Sequence, residues 1–238
     1  MTHKTTQFID REGRKIILTR GEVKHSFPLS PIPNDLLNDL LNISFSDEES
    51  VNAQKLIEGN MLHKPIVCTR NVSHPFIINV APKIARITLR DEVIQDRLEE
   101  LEGKFLSFQG RSYSTTQSER HQLYHELFLT HSEIDPVRFG AVEMYGANTY
   151  SNILDDPRVT LCFSWYRPQT EEFLAYHINC IAEIVPPSDP FYKFMRILRT
   201  LFSTTFLELG KPEYICAYKL WISETKEKTL TDKTGFTE

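Results

Sequence analysis

Glycine is scarce in this chain: nine residues in 238, at positions 13, 21, 59, 103, 110, 140, 146, 210 and 235. No two stand as G-x-G or at the five-residue offset of a phosphate-binding loop, which excludes the common glycine-cradled dinucleotide and NTP sites. A phosphate bound here has to be held by side chains and by strand or helix ends. Cysteine is also sparse. Cys68, Cys162, Cys180 and Cys216 lie far apart, and none forms a C-x-x-C pair. That argues against zinc or dithiol chemistry and for reduced thiols packed as small hydrophobes in a cytoplasmic protein. No apolar run approaches the ~20 residues of a membrane-spanning helix. The opening Met1-Thr-His-Lys-Thr-Thr-Gln-Phe carries no apolar core of a secretion signal. There is no excess of positive charge either: 27 Lys+Arg stand against 32 Asp+Glu, a net charge of −5. A general nucleic-acid binder needs a basic field facing the phosphates, so that class is set aside together with membrane proteins.

What is present describes an ordinary folded chain, 40% apolar and 25% charged. The organisation expected is an N-terminal extension over 1–60, a main domain over 61–225 with a helical insertion around 94–136, and a short tail over 226–238. Within the extension, 14–20 reads as a short strand between Gly13 and Gly21. Pro-rich 26–33 forbids helix, and 34–41 carries paired leucines one turn apart behind a capping Asn-Asp. A second helix is expected from Ser46 to Gly59, with acids in its first turn.

The main domain opens with β-prone segments at 65–70, 76–81 and 84–89. Ile94, Leu98 and Leu101 then suggest a short helix stopped by Gly103. Residues 118–131 read as helix, 137–145 as strand, and 148–154 as a short helix. The clearest strand follows. Val159, Leu161, Phe163 and Trp165 take one face, and Thr160, Cys162 and Ser164 the other. Residues 173–185 repeat the alternation through Tyr176, Ile178, Cys180, Ala182 and Ile184. The stripe Phe191, Phe194, Met195, Leu198, Leu201, Phe202 and Leu209 marks a helix, and 214–223 a closing strand before a frayed tail. Successive strands without strand–helix alternation predict an α+β protein: an antiparallel β-barrel with flanking helices, its closure hiding the strand edges.

The segment Tyr145-Gly-Ala-Asn-Thr-Tyr-Ser-Asn-Ile-Leu-Asp-Asp-Pro-Arg-Val159 is the most informative. A strand end feeds a short polar helix whose free N–H groups, with the Thr149 and Ser151 hydroxyls, suit an anion. Thr149-Tyr-Ser-Asn-Ile-Leu, then Asp156-Pro-Arg-Val and later Cys180-Ile-Ala-Glu-Ile-Val, resemble the flavin-binding split barrels related to pyridoxamine 5′-phosphate oxidase and the flavin reductases. Upstream, 67–82 is similar to that superfamily's first hairpin. The likeness spans about 65–225. It departs at the 94–136 insertion, at a hairpin without Asp-Gly, and at Ser151, where the family commonly has Lys.

The resemblance implies FMN bound at a homodimer interface, with a small-molecule substrate. The isoalloxazine would rest against strand backbone near Asn79-Val-Ala-Pro82. The phosphate would meet Arg70, Lys83 or Arg86, with Thr149 and Ser151, and Asn152 is counted in the same cofactor-binding set. The protein implied is a flavin-dependent oxidoreductase, the flavin carrying the redox chemistry. Two rivals stand beside it. One is a non-enzymatic ligand-binding or interaction module on the same barrel, its pocket blocked by aromatics such as Trp165 or Tyr176. The other is a metal-dependent enzyme using His121 and His125, one helical turn apart, although no H-E-x-x-H is present and no metal ligands are assigned. His177 either lines the barrel or is a hydrogen-bonded structural residue.

Overall fold

The computed structural model describes residues 5–43, 62–72, 74–167, 170–201 and 214–229. The helix expected over 46–59, the distal part of the 191–209 helix and the end of the tail lie outside them. Three N-terminal strands, β1 (Thr5–Asp10), β2 (Lys15–Arg20) and β3 (Val23–Pro28), form an antiparallel sheet of their own. After α1 (Asn34–Ile43) come β4 (Ile66–Arg70), β5 (Ile78–Pro82) and β6 (Ala85–Leu89), then α2 (Asp91–Leu106) and α3 (Tyr113–Phe128). The chain continues through β7 (Ile134–Glu143), α4 (Asn148–Asp155), β8 (Arg158–Arg167), β9 (Glu172–Val185), α5 (Pro190–Leu201) and β10 (Cys216–Glu227). The protein is α+β, with antiparallel sheets and flanking helices.

The main sheet runs β5-β4-β8-β9-β10-β7-β6, every neighbour antiparallel. Its two edge strands, β5 and β6, are consecutive in the chain and separated only by Lys83 and Ile84. Three Cα steps of 3.8 Å hold Pro82 and Ala85 within about 11 Å. Seven strands laid flat at about 4.8 Å spacing would set the edges about 29 Å apart. The sheet therefore curls until its edges meet at that link. Among the described residues no ladder joins β5 to β6, so the edges stay unpaired where a sealed barrel was expected. A side-chain pair anchors the link to β7: Lys83 Nζ lies 2.7 Å from Glu143 Oε2, in continuation of the β6–β7 register.

The concave face is the core. Val159, Leu161, Phe163 and Trp165 of β8 and Leu174, Tyr176, Ile178, Cys180 and Ala182 of β9 are buried there, as the alternation predicts. Each such aliphatic side chain contributes roughly 1.5–3 kcal/mol of transfer free energy. Leu36 and Leu40 of α1 are fully buried in the same core. Asp35 and Asp39 tie α1 down, accepting from Tyr176 Oη (2.7 Å) and Trp165 Nε1 (2.8 Å). On the convex face, the N-terminal sheet covers Ile181 and Trp221 with Ile16, Leu18 and Leu29.

Helix α5 covers the β6–β7–β10 part of that face. Its Met195 sulfur sits 2.4 Å from where a Cβ on Gly140 would be, so the glycine leaves room for the Met195 tip, which a side chain there would displace. Beside it the guanidinium of Arg138, wholly buried, donates to Asp91 (2.8 and 3.0 Å), the Leu89 carbonyl (2.8 Å) and Thr88 (3.1 Å), and pairs with Asp135 at 3.1 Å.

Three local expectations are corrected. Helix α2 runs through Gly103, where a Cβ would meet nothing within 4 Å, so this glycine does not stop it. Helix α3 begins at Tyr113 rather than Ser118 and ends at Phe128, leaving His131 in a separate 3₁₀ turn. The strand closing the sheet does not fray at Glu224. A bulge shifts its register there, and Glu224 to Glu227 pair with Asn179 to Tyr176.

Candidate functional site at the α4 corner

Helix α4 is placed from both sides. At its entry, Gly146 takes φ +64°, and a Cβ there would come 2.4 Å from Ile215 Cδ1. Only glycine accepts both conditions readily. The Glu143 carboxylate fixes that turn by accepting from the Tyr145 and Gly146 amides (both 3.2 Å), while Tyr218 Oη donates to it at 3.0 Å and Lys83 at 2.7 Å. Burial pushes the Glu143 carboxyl up, but Lys83, the Tyr145 amide and Tyr218 outweigh it and leave the pKa below the ordinary 4.5. At the exit, Asp156 accepts from the Arg158 side chain at 2.5 and 2.8 Å and turns the chain into β8.

Thr149, Asn152 and Ile153 of α4 are buried, as i, i+3 and i+4 positions of one face should be. Thr69 of β4 is the hub beneath them. Its hydroxyl accepts from Asn152 Nδ2 (3.0 Å) and Asn79 Nδ2 (3.2 Å), and Asn79 Nδ2 also reaches Thr149 Oγ1 at 3.3 Å. Thus Asn79, Thr149 and Asn152 meet in one polar corner between β4, β5 and α4.

The other residues of the expected set lie elsewhere. Ser151 is exposed on the opposite side of α4. Arg70 follows Thr69 and so faces the other side of the hairpin; its side chain is 60% exposed, 3.9 Å from Asp156. Lys83 is held by Glu143. Arg86 is buried on β6, its guanidinium 5.8 Å from the centre of the Tyr124 ring.

Sequence reading missed Thr69 and Glu143, yet both carried a signal. Thr69 shares the inward phase of β4 with Val67, and Glu143 that of β7 with Phe139 and Ala141. A polar side chain on a buried strand face requires partners. Of the rival features, His121 and His125 sit on α3, and among the described residues no three His, Cys, Asp or Glu side chains are grouped to hold a metal ion. His177 is exposed on the convex face and does not line the core. Trp165 and Tyr176 stack in the core, ring centres 6.0 Å apart.

The hairpin carrying the corner presents an open apolar surface on its tip and on the side opposite Asn79. Val72, Phe76, Ile77, Ile78 and Val80 of the β4–β5 hairpin are all more than half exposed, Phe76 at 78%. Among the described residues nothing pairs with the outer edge of β5.

No family model matches the sequence, and no curated protein matches it. Solved structures give loose overlaps. HupZ of Group A Streptococcus is 11% identical, covering 75% of this chain and 94% of its own, with a TM-score of 0.38. An FMN-binding protein from Syntrophomonas wolfei subsp. wolfei is 9% identical, covering 83% and 88%, with a TM-score of 0.41. ChuZ of Campylobacter jejuni is 9% identical, covering 94% and 76%, with a TM-score of 0.38. Overlaps this loose leave the functional reading to the chain's own geometry.

Proposed function

We propose that this chain is an FMN-binding protein built on a split barrel, that it acts as an oxidoreductase, and that it works as a homodimer. The observation carrying this reading is the α4 corner, where buried Thr69, Thr149 and Asn152 and half-buried Asn79 fix a short helix beside an unpaired strand edge. An isoalloxazine presents flat apolar faces and a pyrimidine edge of donors and acceptors. The free backbone edge of β5, with exposed Ile78 and Val80, matches both needs. Asn79 and Thr149 border the ring site, and Asn152 acts behind them by holding Thr69.

The exposed cation Arg70 and the exposed Ser151 hydroxyl serve the phosphate. Lys83 and Arg86 are then framework rather than ligands, the first committed to Glu143 and the second buried under α3. Bound flavin supplies hydride or single-electron transfer, while the chain orients it and shields one face. The remaining hairpin hydrophobics, Val72, Phe76 and Ile77, exceed the usual scatter of single exposed side chains and suit a second subunit.

Titration with FMN and with riboflavin, followed by flavin fluorescence, tests the reading. Saturable binding of one FMN per chain is expected, with Arg70→Ala weakening FMN far more than riboflavin. Absence of saturable binding of either flavin overturns it. A second reading, a ligand-binding or interaction module on the same barrel, draws on one observation: the corner's polar groups already satisfy one another. It predicts a folded protein indifferent to both flavins.

A further inference from the structure

The convex face of the sheet is not uniformly covered. The N-terminal sheet and α5 shield its β6, β7 and β10 side, but Cys68 and Cys162, on neighbouring strands β4 and β8, remain half-exposed. The ladder sets Ile66 opposite Cys162 and Cys68 opposite Thr160, so the two cysteines are diagonal neighbours with side chains on one face. Burial and the neighbouring Cys68 thiol push the Cys162 thiol up to about 11. Cys180 and Cys216, in contrast, are buried.

Diagonal positions in an antiparallel ladder have Cα atoms roughly 7–8 Å apart, beyond the roughly 4.4–6.8 Å of a disulfide. Direct oxidation of the pair would need the strands to move. A bridging ion relaxes that limit, because two metal–sulfur bonds of about 2.3 Å span about 4.6 Å between sulfurs, against about 2 Å in a disulfide. Two thiolates without oxygen ligands select a soft ion. Arg70, the next residue of β4 on the same face, is mostly exposed and offsets the negative charge of a bis-thiolate complex.

We propose that Cys68 and Cys162 form a two-coordinate binding site for a soft, thiophilic metal ion of the Cu(I) class. On binding, both S–H bonds break, two sulfur–metal bonds form and two protons pass to water; no atom changes oxidation state. The site lies across the sheet from Thr69, on the face that also carries Arg70 and Val80, the latter directly opposite Cys68, so it is tested on flavin-free protein.

The test is an anaerobic titration of the reduced full-length protein with Cu(I), in competition with a chromophoric Cu(I) chelator. One Cu(I) per chain is expected, with a thiolate-to-metal band in the near ultraviolet. Cys68→Ser and Cys162→Ser should each lose that ion while keeping the wild-type circular dichroism spectrum. Cys180→Ala and Cys216→Ala, altered in the core, should retain it if folded. Wild-type protein that yields all Cu(I) to the chelator, or a folded Cys68→Ser variant that retains the ion, overturns the proposal.

Discussion

Replacing Glu143 by glutamine tests how the link between the edge strands is anchored. In the native protein this carboxylate is 3% exposed and takes four bonds, from Lys83, Tyr218 and the Tyr145 and Gly146 amides. Glutamine can still accept from the two amides through one oxygen. Its NH₂ group would then face the Lys83 ammonium and the Tyr218 hydroxyl, leaving a lysine 17% exposed without a counter-ion. Breaking a buried pair in this way costs about 3–5 kcal/mol, and the partial exposure of Lys83 places the expected loss near the lower end, about 3 kcal/mol.

Urea unfolding at pH 7 reads the loss directly. Lys83→Met should cost less, because Glu143 keeps three other donors, and the double variant should be less destabilised than the sum of the two. The pH dependence has a fixed sign. The folded pKa of Glu143 lies below the ordinary 4.5, so its contribution is complete above 4.5 and fades as pH falls through the folded value. The gap between wild type and Glu143→Gln should therefore be constant from pH 6 to 8 and narrow in acid. A loss under about 1 kcal/mol would refute the view that this pair anchors the link between the edge strands.

Gly146→Ala places a Cβ at φ +64° against Ile215 and should cost about 1–3 kcal/mol in thermal or urea unfolding; a neutral substitution would mean the turn into α4 is not constrained. Thr69→Val keeps the shape but removes the acceptor shared by Asn79 and Asn152, for an expected loss of about 1–3 kcal/mol and weaker FMN binding. Unchanged stability and unchanged flavin affinity would contradict the role given to this hub. Arg138→Leu strips Asp91 and Asp135 of a shared buried partner and should cost about 3–5 kcal/mol, measured by denaturant midpoint.

The elements most legible in the sequence were those where local and tertiary preferences agree. Strands β8 and β9 alternate because one face is core and the other is not, and α5 shows a clean stripe because it lies flat on a sheet. Helix α4 was readable from its polar start and the Asp-Pro that ends it. Strands β1 and β3 were not, since Phe8 and Val23 are exposed and the three-stranded sheet buries little beyond Ile16 and Leu18. Gly103 misled because glycine signals a helix end only when the chain must turn there, and here the helix has other reasons to continue.

The order of strands was beyond linear reading. That β5 and β6 sit at opposite ends of one sheet is a property of the curled shape, and the Lys83–Glu143 pair that anchors the link between them is 60 residues apart in the chain. The same holds for the candidate site. Asn79, Thr149 and Asn152 were identifiable one by one, but the hydroxyl that unites them belongs to Thr69, 83 residues from Asn152. Arg70, Lys83 and Arg86 looked equivalent as strand cations. The fold separates them into one exposed, one paired and one buried side chain.

Amide hydrogen exchange with and without FMN tests the central claim most directly, because it reports where the ligand acts as well as whether it binds. The account predicts slower exchange at the amides of α4 around Thr149–Asn152 and along β5 at Ile78–Ala81, with the N-terminal sheet unchanged. Exchange that FMN leaves unaltered throughout, or slows only at sites away from these two elements, would contradict it.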